Sequence, residues 1–412
     1  MENANYIVLA IPVFFGLIAL ELLVARALER DYYSLADSLN DLSCGILQQL
    51  VEVFAKTALF AGYVLVYDRF RLAEIPMTAV WAWVACFLGV DFFYYWFHRT
   101  SHRVNAVWAT HVVHHQSEEY NLSVALRQGA FQGWFSWAFY LPLALVGFPP
   151  LMFLTLSAFD TLYQFWIHTR AIGRLGPLEW VMNTPSHHRV HHACNPKYID
   201  RNYAGTLIVW DRMFGTFMQE EDEPVYGITR PLHSWNPLWA NLHVWVDLAG
   251  KARRTARLAD RVRLFLSPPG WRPDELGGYE APPDVDRATY RKFATPVPRG
   301  LAAYVFVQFV LVLAGTSALL FAQERITRPW LAAGALGAAL SLVALGGWFE
   351  RRRWAIALEQ LRVPLLALLA ARTAPPAAWP AIAAVVLAML FWLRRQATAR
   401  PEPERPGVPA TR

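Results

Sequence analysis

The chain has 412 residues, of which 55% are hydrophobic, 14% aromatic and only 17% charged. A soluble protein of this length carries charge on about a quarter of its residues, so the composition argues against a soluble enzyme and predicts a membrane protein. The net charge of +6 does not indicate a nucleic-acid partner, because the arginines sit beside apolar runs. Three scattered cysteines without a CxxC pair indicate neither a disulfide framework nor a thiolate zinc site.

Apolar segments of about 20 residues predict helices that cross the bilayer. Two of the segments carry charge pairs, Glu52 with Lys56 and Glu359 with Arg362, which leave an in-plane helix open there as the alternative. The first segment lacks a basic leader and a cleavage site, so we interpret it as a retained span and not a signal peptide. The nine predicted spans are 6–25, 46–67, 77–97, 129–147, 150–168, 301–322, 330–349, 354–371 and 377–393.

The spans form two groups, which predict an all-α polytopic membrane protein. With the N-terminus outside, the basic residues concentrate on one side, and the positive-inside bias places the histidine-rich region in the cytoplasm. The excess of arginine over lysine indicates a bacterial genome, hence a bacterial inner membrane. The predicted domains are N-terminal helices 1–97, a histidine region 98–250 that includes two spans (129–168), a basic and Pro-rich linker 251–298, C-terminal helices 299–395 and a disordered tail 396–412. The basic part of the linker, 251–263, is expected to lie against anionic headgroups.

All twelve histidines fall between residues 98 and 243, and most form three boxes. Residues three and four apart share a helix face, so each box is expected to present two or three imidazoles to one point. Imidazole suits iron, zinc, copper and nickel, and eight such ligands are too many for one ion and appropriate for two. The boxes are His98 with His102, then His111 with His114 and His115, and finally His188 with His191 and His192.

Further candidates flank the boxes. His168, at the end of the fifth span, and His187, just before the third box, are predicted to be additional ligands, with an outer position open as the alternative for His187. Asp91 and Asp160 lie one and two turns into the membrane, where a carboxylate orients a ligand imidazole by accepting its free N–H; pairing with an arginine is the alternative. We expect His233 and His243 to be interfacial residues. No catalytic residue beyond the metal ligands is predicted.

The spacings HxxxH, HxxHH and HxxHH, in this order and with two spans before the last box, resemble the membrane fatty acid hydroxylase and sterol desaturase superfamily. The resemblance implies a non-haem di-iron centre that uses O2. The flanking stretches "DFFYYWFHRTSH", "HHQSEEYNLSVALRQG", "YQFWIHT" and "NTPSHHRVHHACNPKYIDRNYAGTLIVWDRMFGTF" resemble the ether-lipid-cleaving branch, over about residues 85–235. That branch implies an alkylglycerol substrate, hydroxylated next to the ether oxygen, and tetrahydrobiopterin as electron donor.

The sequence is also compatible with other substrates and donors. The alternative substrates are a fatty acyl chain, a sterol or hopanoid, and a carotenoid, and the alternative reductant is a ferredoxin-type donor. A histidine-rich metal transporter is the alternative from another class. Transporters hold such sites near the bilayer midplane, whereas these boxes lie outside the spans in a polar region, which favours an enzyme. The sequence does not predict the oligomeric state.

Overall fold

A computed structural model describes residues 6–373 and 375–398. Its described residues contain helices and turns, with two isolated bridge pairs and no β-strand, which confirms the all-α prediction. The predicted tail lies outside the described residues from position 399 onward. The helices are α1 Tyr6–Ala27, α2 Leu35–Phe70, α3 Val80–Arg103, α4 Asn105–His115, α5 Gly133–Phe139, α6 Leu141–Val146, α7 Pro150–Trp166, α8 Pro185–His191, α9 Val209–Met213, α10 Pro237–Arg254, α11 Leu258–Leu266, α12 Arg299–Phe321, α13 Arg328–Phe349, α14 Arg353–Thr373 and α15 Trp379–Thr398.

Several helices have the length and apolar composition that crossing a membrane requires. A helix rises about 1.5 Å per residue, so about 20 residues cover a hydrocarbon core of about 30 Å. The chain is therefore an integral membrane protein, as its composition predicts. In the described part of the chain these helices are Leu35–Phe70, Val80–Arg103, Arg299–Phe321, Arg328–Phe349 and Pro376–Gln396.

The other four predicted spans fall on α1, on α5 with α6, on α7 and on α14, which lie outside this set. The predicted span 129–147 is not one continuous helix, because the chain bends at Tyr140 and divides it into segments of seven and six residues. At 17 residues α7 is slightly short of a full crossing. In α14 the charged pair Glu359 and Arg362 lowers the hydropathy.

The α5–α6–α7 segment forms an apolar hairpin. The Leu72 N–H donates to the Leu145 carbonyl at 2.8 Å, so the α6–α7 turn lies beside the α2–α3 turn. At that turn Gly147 has φ 114°, and a Cβ there would lie 1.9 Å from the Ala73 carbonyl oxygen, so only glycine fits. Helix α7 then runs back from this turn, so its last residues return to the end of the bundle at which α3 finishes.

A buried apolar cluster holds α2, α3, α6 and α7 together. Val90, Ala144 and Met152 lie at its centre, fully buried. Tyr63 stacks on Phe153 with ring centroids 4.3 Å apart and donates to a backbone carbonyl of the α6–α7 turn. Tight packing of these four helices fixes the C-terminal ends of α3 and α7, at or next to which histidines lie.

The chain divides into two compact units, residues 1–232 with 240–292 and residues 233–239 with 293–412. The second unit contains α12 to α15, in which small residues permit close approach. A Cβ on Gly346 would lie 2.2 Å from the Trp235 carbonyl oxygen. Arg362 and Glu359 pair at 2.5 Å in its interior, with Gln308 accepting from the same guanidinium at 2.7 Å. Such pairing is how charged groups are accommodated among apolar helices.

Candidate metal centre

The histidine boxes lie in the last turns of α3 and on the short helices α4 and α8 of the first unit. His98 and His102 occupy the last turns of α3, and the chain turns at Val104 into α4, which carries the second box. His168 follows the end of α7, and α8 carries the third box, with His192 at its C-terminal cap. Segments up to 94 positions apart in the chain therefore bring their imidazoles to one place.

The histidines form two groups, each with its ligand atoms within 4.8 Å of one another. In cluster 1, His98 Nε2 lies 3.0 Å from His111 Nε2, and His115 Nε2 lies 3.2 Å from the same atom. In cluster 2, His168 Nε2 lies 3.2 Å from His114 Nε2 and 3.0 Å from His188 Nε2. Cluster 1 consists of His98, His102, His111, His115 and His191, and cluster 2 of His114, His168, His188 and His192.

The second and third boxes each present two imidazoles to one cluster, as predicted, but the expectation that His114 and His191 point the same way as the other members of their boxes is wrong. Residues i and i+4 lie about 40° apart around a helix axis, whereas residue i+3 lies about 60° to the other side of residue i. His111 and His115 thus face cluster 1 while His114 faces cluster 2. On α8 the clusters are the other way round: the i and i+4 residues His188 and His192 face cluster 2, and the i+3 residue His191 faces cluster 1. The two HxxHH helices each contribute to both groups.

The donor set of each cluster fits a metal ion. Two nitrogens bound at about 2.1 Å and at right angles on one ion lie about 3.0 Å apart, which matches the nitrogen separations within the clusters. The buried Nε2 atoms of His102 and His191 have no hydrogen-bond partner within the described chain. Burial lowers the pKa of His111 to about 4 and that of His191 to about 3. Both rings are therefore neutral at physiological pH, the form that binds metals.

Hydrogen bonds from the opposite ring nitrogen orient five of the imidazoles. A carbonyl oxygen only accepts, so each Nδ1 carries the proton and each Nε2 presents a lone pair to its cluster. His111 Nδ1 donates to Gln132 Oε1 at 2.9 Å. The other four donate to backbone carbonyls at 2.7–2.9 Å: His98 to Tyr203, His114 to Arg127, His168 to Gln164 and His191 to Arg201.

Within the described residues Asp91 and Asp160 do not orient imidazoles directly, contrary to the prediction, and neither pairs with an arginine. Asp91 accepts from the Thr206 and Leu207 backbone N–H groups at 2.7 and 3.1 Å and from the Trp210 indole at 2.7 Å. Asp160 accepts from the Thr206 hydroxyl at 2.8 Å. The carboxylates fix the loop after Tyr203, whose carbonyl holds His98. Asp91 in α3 and Asp160 in α7 lie about two helical turns before His98 and His168, respectively.

His187 lies outside both clusters, so the structure does not support its predicted role as a ligand. It precedes His188 by one residue on α8 and therefore points about 100° away from it. Its ring packs edge-on against Phe217, with centroids 5.3 Å apart. His233 packs on Phe293, and His243 Nδ1 lies 3.1 Å from the Ala240 carbonyl, also outside the clusters.

Arg127 is a buried structural residue that the sequence analysis did not identify. Its guanidinium donates to Asn40 and Asp41 of α2 at 2.6 and 3.2 Å, and to the Val113 carbonyl of α4 at 2.6 Å. Its own carbonyl accepts from His114. Arg127 therefore ties the second box to α2. An aspartate in an apolar helix indicates a buried partner, but the sequence does not identify an arginine 86 positions away.

Asp211 is a second such residue. It is fully buried and accepts from the backbone N–H groups of Tyr203 and Ala204, both at 2.8 Å, and from the Thr216 hydroxyl at 2.6 Å. Burial raises the pKa of this carboxyl to about 6. Asp211 thus fixes the backbone segment whose carbonyl orients His98.

The fold and the two clusters define a class, a membrane-bound metalloenzyme whose predicted ligands are histidines. The family model for fatty acid hydroxylases matches residues 83–216, which include every cluster histidine. Alkylglycerol monooxygenase from Xenopus tropicalis is 39% identical over 369 residues, 87% of this chain and 80% of the relative. The enzyme of that name from Danio rerio is 37% identical, covering 95% and 89%, and that from Homo sapiens is 39% identical, covering 88% and 81%.

The chain therefore belongs to the fatty acid hydroxylase family, in its alkylglycerol monooxygenase group. This membership confirms the predicted oxidoreductase class, and together with the clusters it supports a metal site. The similarity covers 95% of the chain in one comparison and so extends well beyond residues 85–235, where the sequence motifs lie. No solved structure matches the chain.

Proposed function

We propose that this protein is an O2-dependent di-iron monooxygenase that cleaves the ether bond of alkylglycerols. The observation that carries the proposal is the division of nine buried histidines into sets of five and four, in a chain 37–39% identical to alkylglycerol monooxygenases over most of its length. The similarity to these relatives supports the choice of substrate, and the clusters support the metal chemistry.

Each cluster would hold one iron. His98, His102, His111, His115 and His191 would bind the first, and His114, His168, His188 and His192 would bind the second. All nine are buried or nearly so, and burial keeps their imidazoles neutral and excludes bulk water from the clusters. When bound, the iron pair supplies activation of O2 for attack on a C–H bond.

The chain's own contribution is to fix ring orientation before the reaction. The four backbone carbonyls and Gln132 hold the Nδ1 protons, so the five Nε2 lone pairs stay aimed at the clusters. Preorganised ligands of this kind do not need to rearrange during each turnover. His187, packed on Phe217, supports α8 without binding metal.

The proposed reaction balances as follows. One oxygen atom of O2 enters the C–H bond beside the ether oxygen, and the other leaves as water with two electrons and two protons from a reductant. In the resulting hemiacetal the hydroxyl group loses its proton and becomes the aldehyde carbonyl, the bond between that carbon and the ether oxygen breaks, and the ether oxygen takes up a proton. The products are a fatty aldehyde, which keeps the inserted oxygen, and glycerol or its derivative. The electrons come from tetrahydrobiopterin or a ferredoxin-type donor.

We also propose that the clusters face the cytoplasm of a bacterial cell. The distribution of arginines around the predicted spans supports this orientation by the positive-inside bias. A cytoplasmic site has access to soluble reductants, while the apolar helices admit the alkyl chain from the bilayer. Reporters fused after Gly250 and near Arg325 test the orientation, because each shows on which side of the membrane its fusion site lies.

The activity test uses iron-loaded enzyme with an alkylglycerol, 18O2 and either tetrahydropterin or reduced ferredoxin. The expected product is fatty aldehyde that carries 18O, trapped by rapid reduction to the alcohol before it exchanges with water. The His114→Ala variant, which lacks one cluster ligand, is the matched control and should yield none. If the enzyme hydroxylates a fatty acid, sterol or carotenoid and leaves the ether intact, the ether-lipid assignment is wrong while the oxygenase assignment stands.

A further inference from the structure

Helix α11, Leu258–Leu266, carries an apolar stripe on its outer face. Leu258, Val262 and Leu266 follow one another every four residues, which places them on one side of a helix. They are 74%, 53% and 64% exposed. A solvent-facing row of three large aliphatic side chains is unfavourable in water, because apolar surface gains stability when it leaves contact with water.

Arginines border the stripe on both sides. Around the helix axis the stripe covers about 80°, with Arg261 about 60° before it and Arg263 about 60° after it. The Arg261 guanidinium donates to the Thr255 carbonyl at 2.7 Å, and Arg263 lies 4.6 Å from the centre of the Trp271 ring. These contacts hold both cations beside the stripe. An apolar row flanked by cations is the pattern of a helix that lies in the plane of an anionic bilayer surface.

The inner face of α11 is fixed at the end of a membrane-spanning helix. Asn105 immediately follows the α3–α4 junction, and its side chain donates to the Leu264 carbonyl at 2.9 Å while its backbone N–H donates to Ser267. Leu264 is fully buried. Phe265, which lies at the Arg261 edge of the stripe, stacks on Trp245, whose ring in turn stacks on Phe135 of the apolar hairpin. Both attachments are to segments at or next to the membrane, which places α11 close to the bilayer surface.

We propose that α11 is an interfacial anchor that inserts its Leu258, Val262 and Leu266 stripe into the leaflet on the histidine side, with Arg261 and Arg263 bound to anionic phospholipid headgroups. Arginines at such a surface are attracted to the negative charge of anionic lipid. Because α11 packs on the start of α4, which carries three cluster histidines, the anchor also connects the lipid surface to the metal centre.

The test places an environment-sensitive fluorophore on Val262→Cys in full-length protein reconstituted in vesicles. The three natural cysteines are buried, so labelling is directed to the new thiol. Asp284→Cys, on an exposed loop, is the matched control. In vesicles that contain phosphatidylglycerol, lipid-borne quenchers should reduce the Val262 signal about threefold more than the Asp284 signal, because only the former probe contacts acyl chains.

Replacing phosphatidylglycerol by phosphatidylcholine should weaken this quenching, and so should the double change Arg261→Gln with Arg263→Gln. Equal access of aqueous iodide to both labelled positions would overturn the proposal. Quenching that is identical in the two kinds of vesicle would overturn the role of the arginines. If the probe is shielded from lipid and becomes accessible only on dilution of the protein, the stripe is a contact between two copies of the chain, and the anchor is disproved.

Discussion

The buried polar groups of the two compact units have different roles. The first unit buries nine clustered histidines together with carboxylates and Arg127. Hydrogen bonds in this unit orient the histidine rings. The second unit contains a buried ion pair between Glu359 and Arg362, satisfied by Gln308 and Tyr304 within the same unit. In the first unit the buried polar groups hold metal ligands in place, whereas in the second the buried ion pair finds its partners within its own unit.

The difference teaches that burial of charge alone does not mark a functional site. In the first unit, two ring nitrogens that face cluster 1, on His102 and His191, lack any partner in the described chain. In the second unit the guanidinium and carboxylate of the ion pair have mutual partners at 2.5–2.9 Å. Unpaired donor atoms that converge on one point require an external ligand, while a closed pair does not.

The largest expected effect comes from removing a cluster histidine. We expect His114→Ala or His191→Ala to lower activity to background, a loss of more than about 100-fold, because each removes one ligand from a different cluster. Metal analysis should show a parallel loss of iron while the protein still inserts in the membrane. His243→Ala, outside the clusters, is the control and should retain activity. Similar losses at His243 and His114 would mean that the clusters are not the iron site.

A matched pair of arginine substitutions compares the units directly. Arg127→Met and Arg362→Met each leave a buried carboxylate unpaired, which costs about 3–5 kcal/mol of stability. We expect only the Arg127 variant to lose iron as well, since Arg127 links α2 to the second box. Thermal unfolding and metal content, measured on the same preparations, give both values. Loss of iron in the Arg362 variant at temperatures where the protein stays folded would contradict the comparison.

A smaller effect is expected at Asp211. In Asp211→Asn the amide keeps the shape but accepts fewer hydrogen bonds from Tyr203, Ala204 and Thr216, which costs about 1–3 kcal/mol. The loosened segment includes the carbonyl that orients His98, so the spectroscopic signature of the iron should change even in fully loaded protein. An unchanged iron spectrum with reduced stability would show that Asp211 acts on folding alone.

The smallest effect is expected at His187. Replacing it by Phe preserves the aromatic contact with Phe217, so we expect near-normal iron content and activity. His188→Phe, one residue away, should lose iron because it removes a member of cluster 2. Equal iron loss in the two variants, measured by elemental analysis, would return His187 to the ligand set.

Sequence spacing predicted the helical fold, the histidine boxes and their convergence, because helical periodicity is a local property. His98 and His102 are a good example, since four positions along α3 suffice to put both on one face. Helical periodicity also separates the i+3 histidine of each HxxHH box from the other two, but which cluster each histidine joins depends on how α4 faces α8, and the partner of Asp41 lies 86 positions away. Such relations follow from tertiary packing, as does the interruption of the predicted span 129–147 at Tyr140.

The most direct test of the account is the iron content of each cluster, measured by elemental analysis with iron spectroscopy on anaerobically prepared protein. The wild type should hold two irons per chain. His98→Ala, which alters cluster 1, and His168→Ala, which alters cluster 2, should each retain about one, with different spectra. A wild type with a single iron, or variants whose remaining iron is spectroscopically identical, would contradict a centre built from two separate histidine sets.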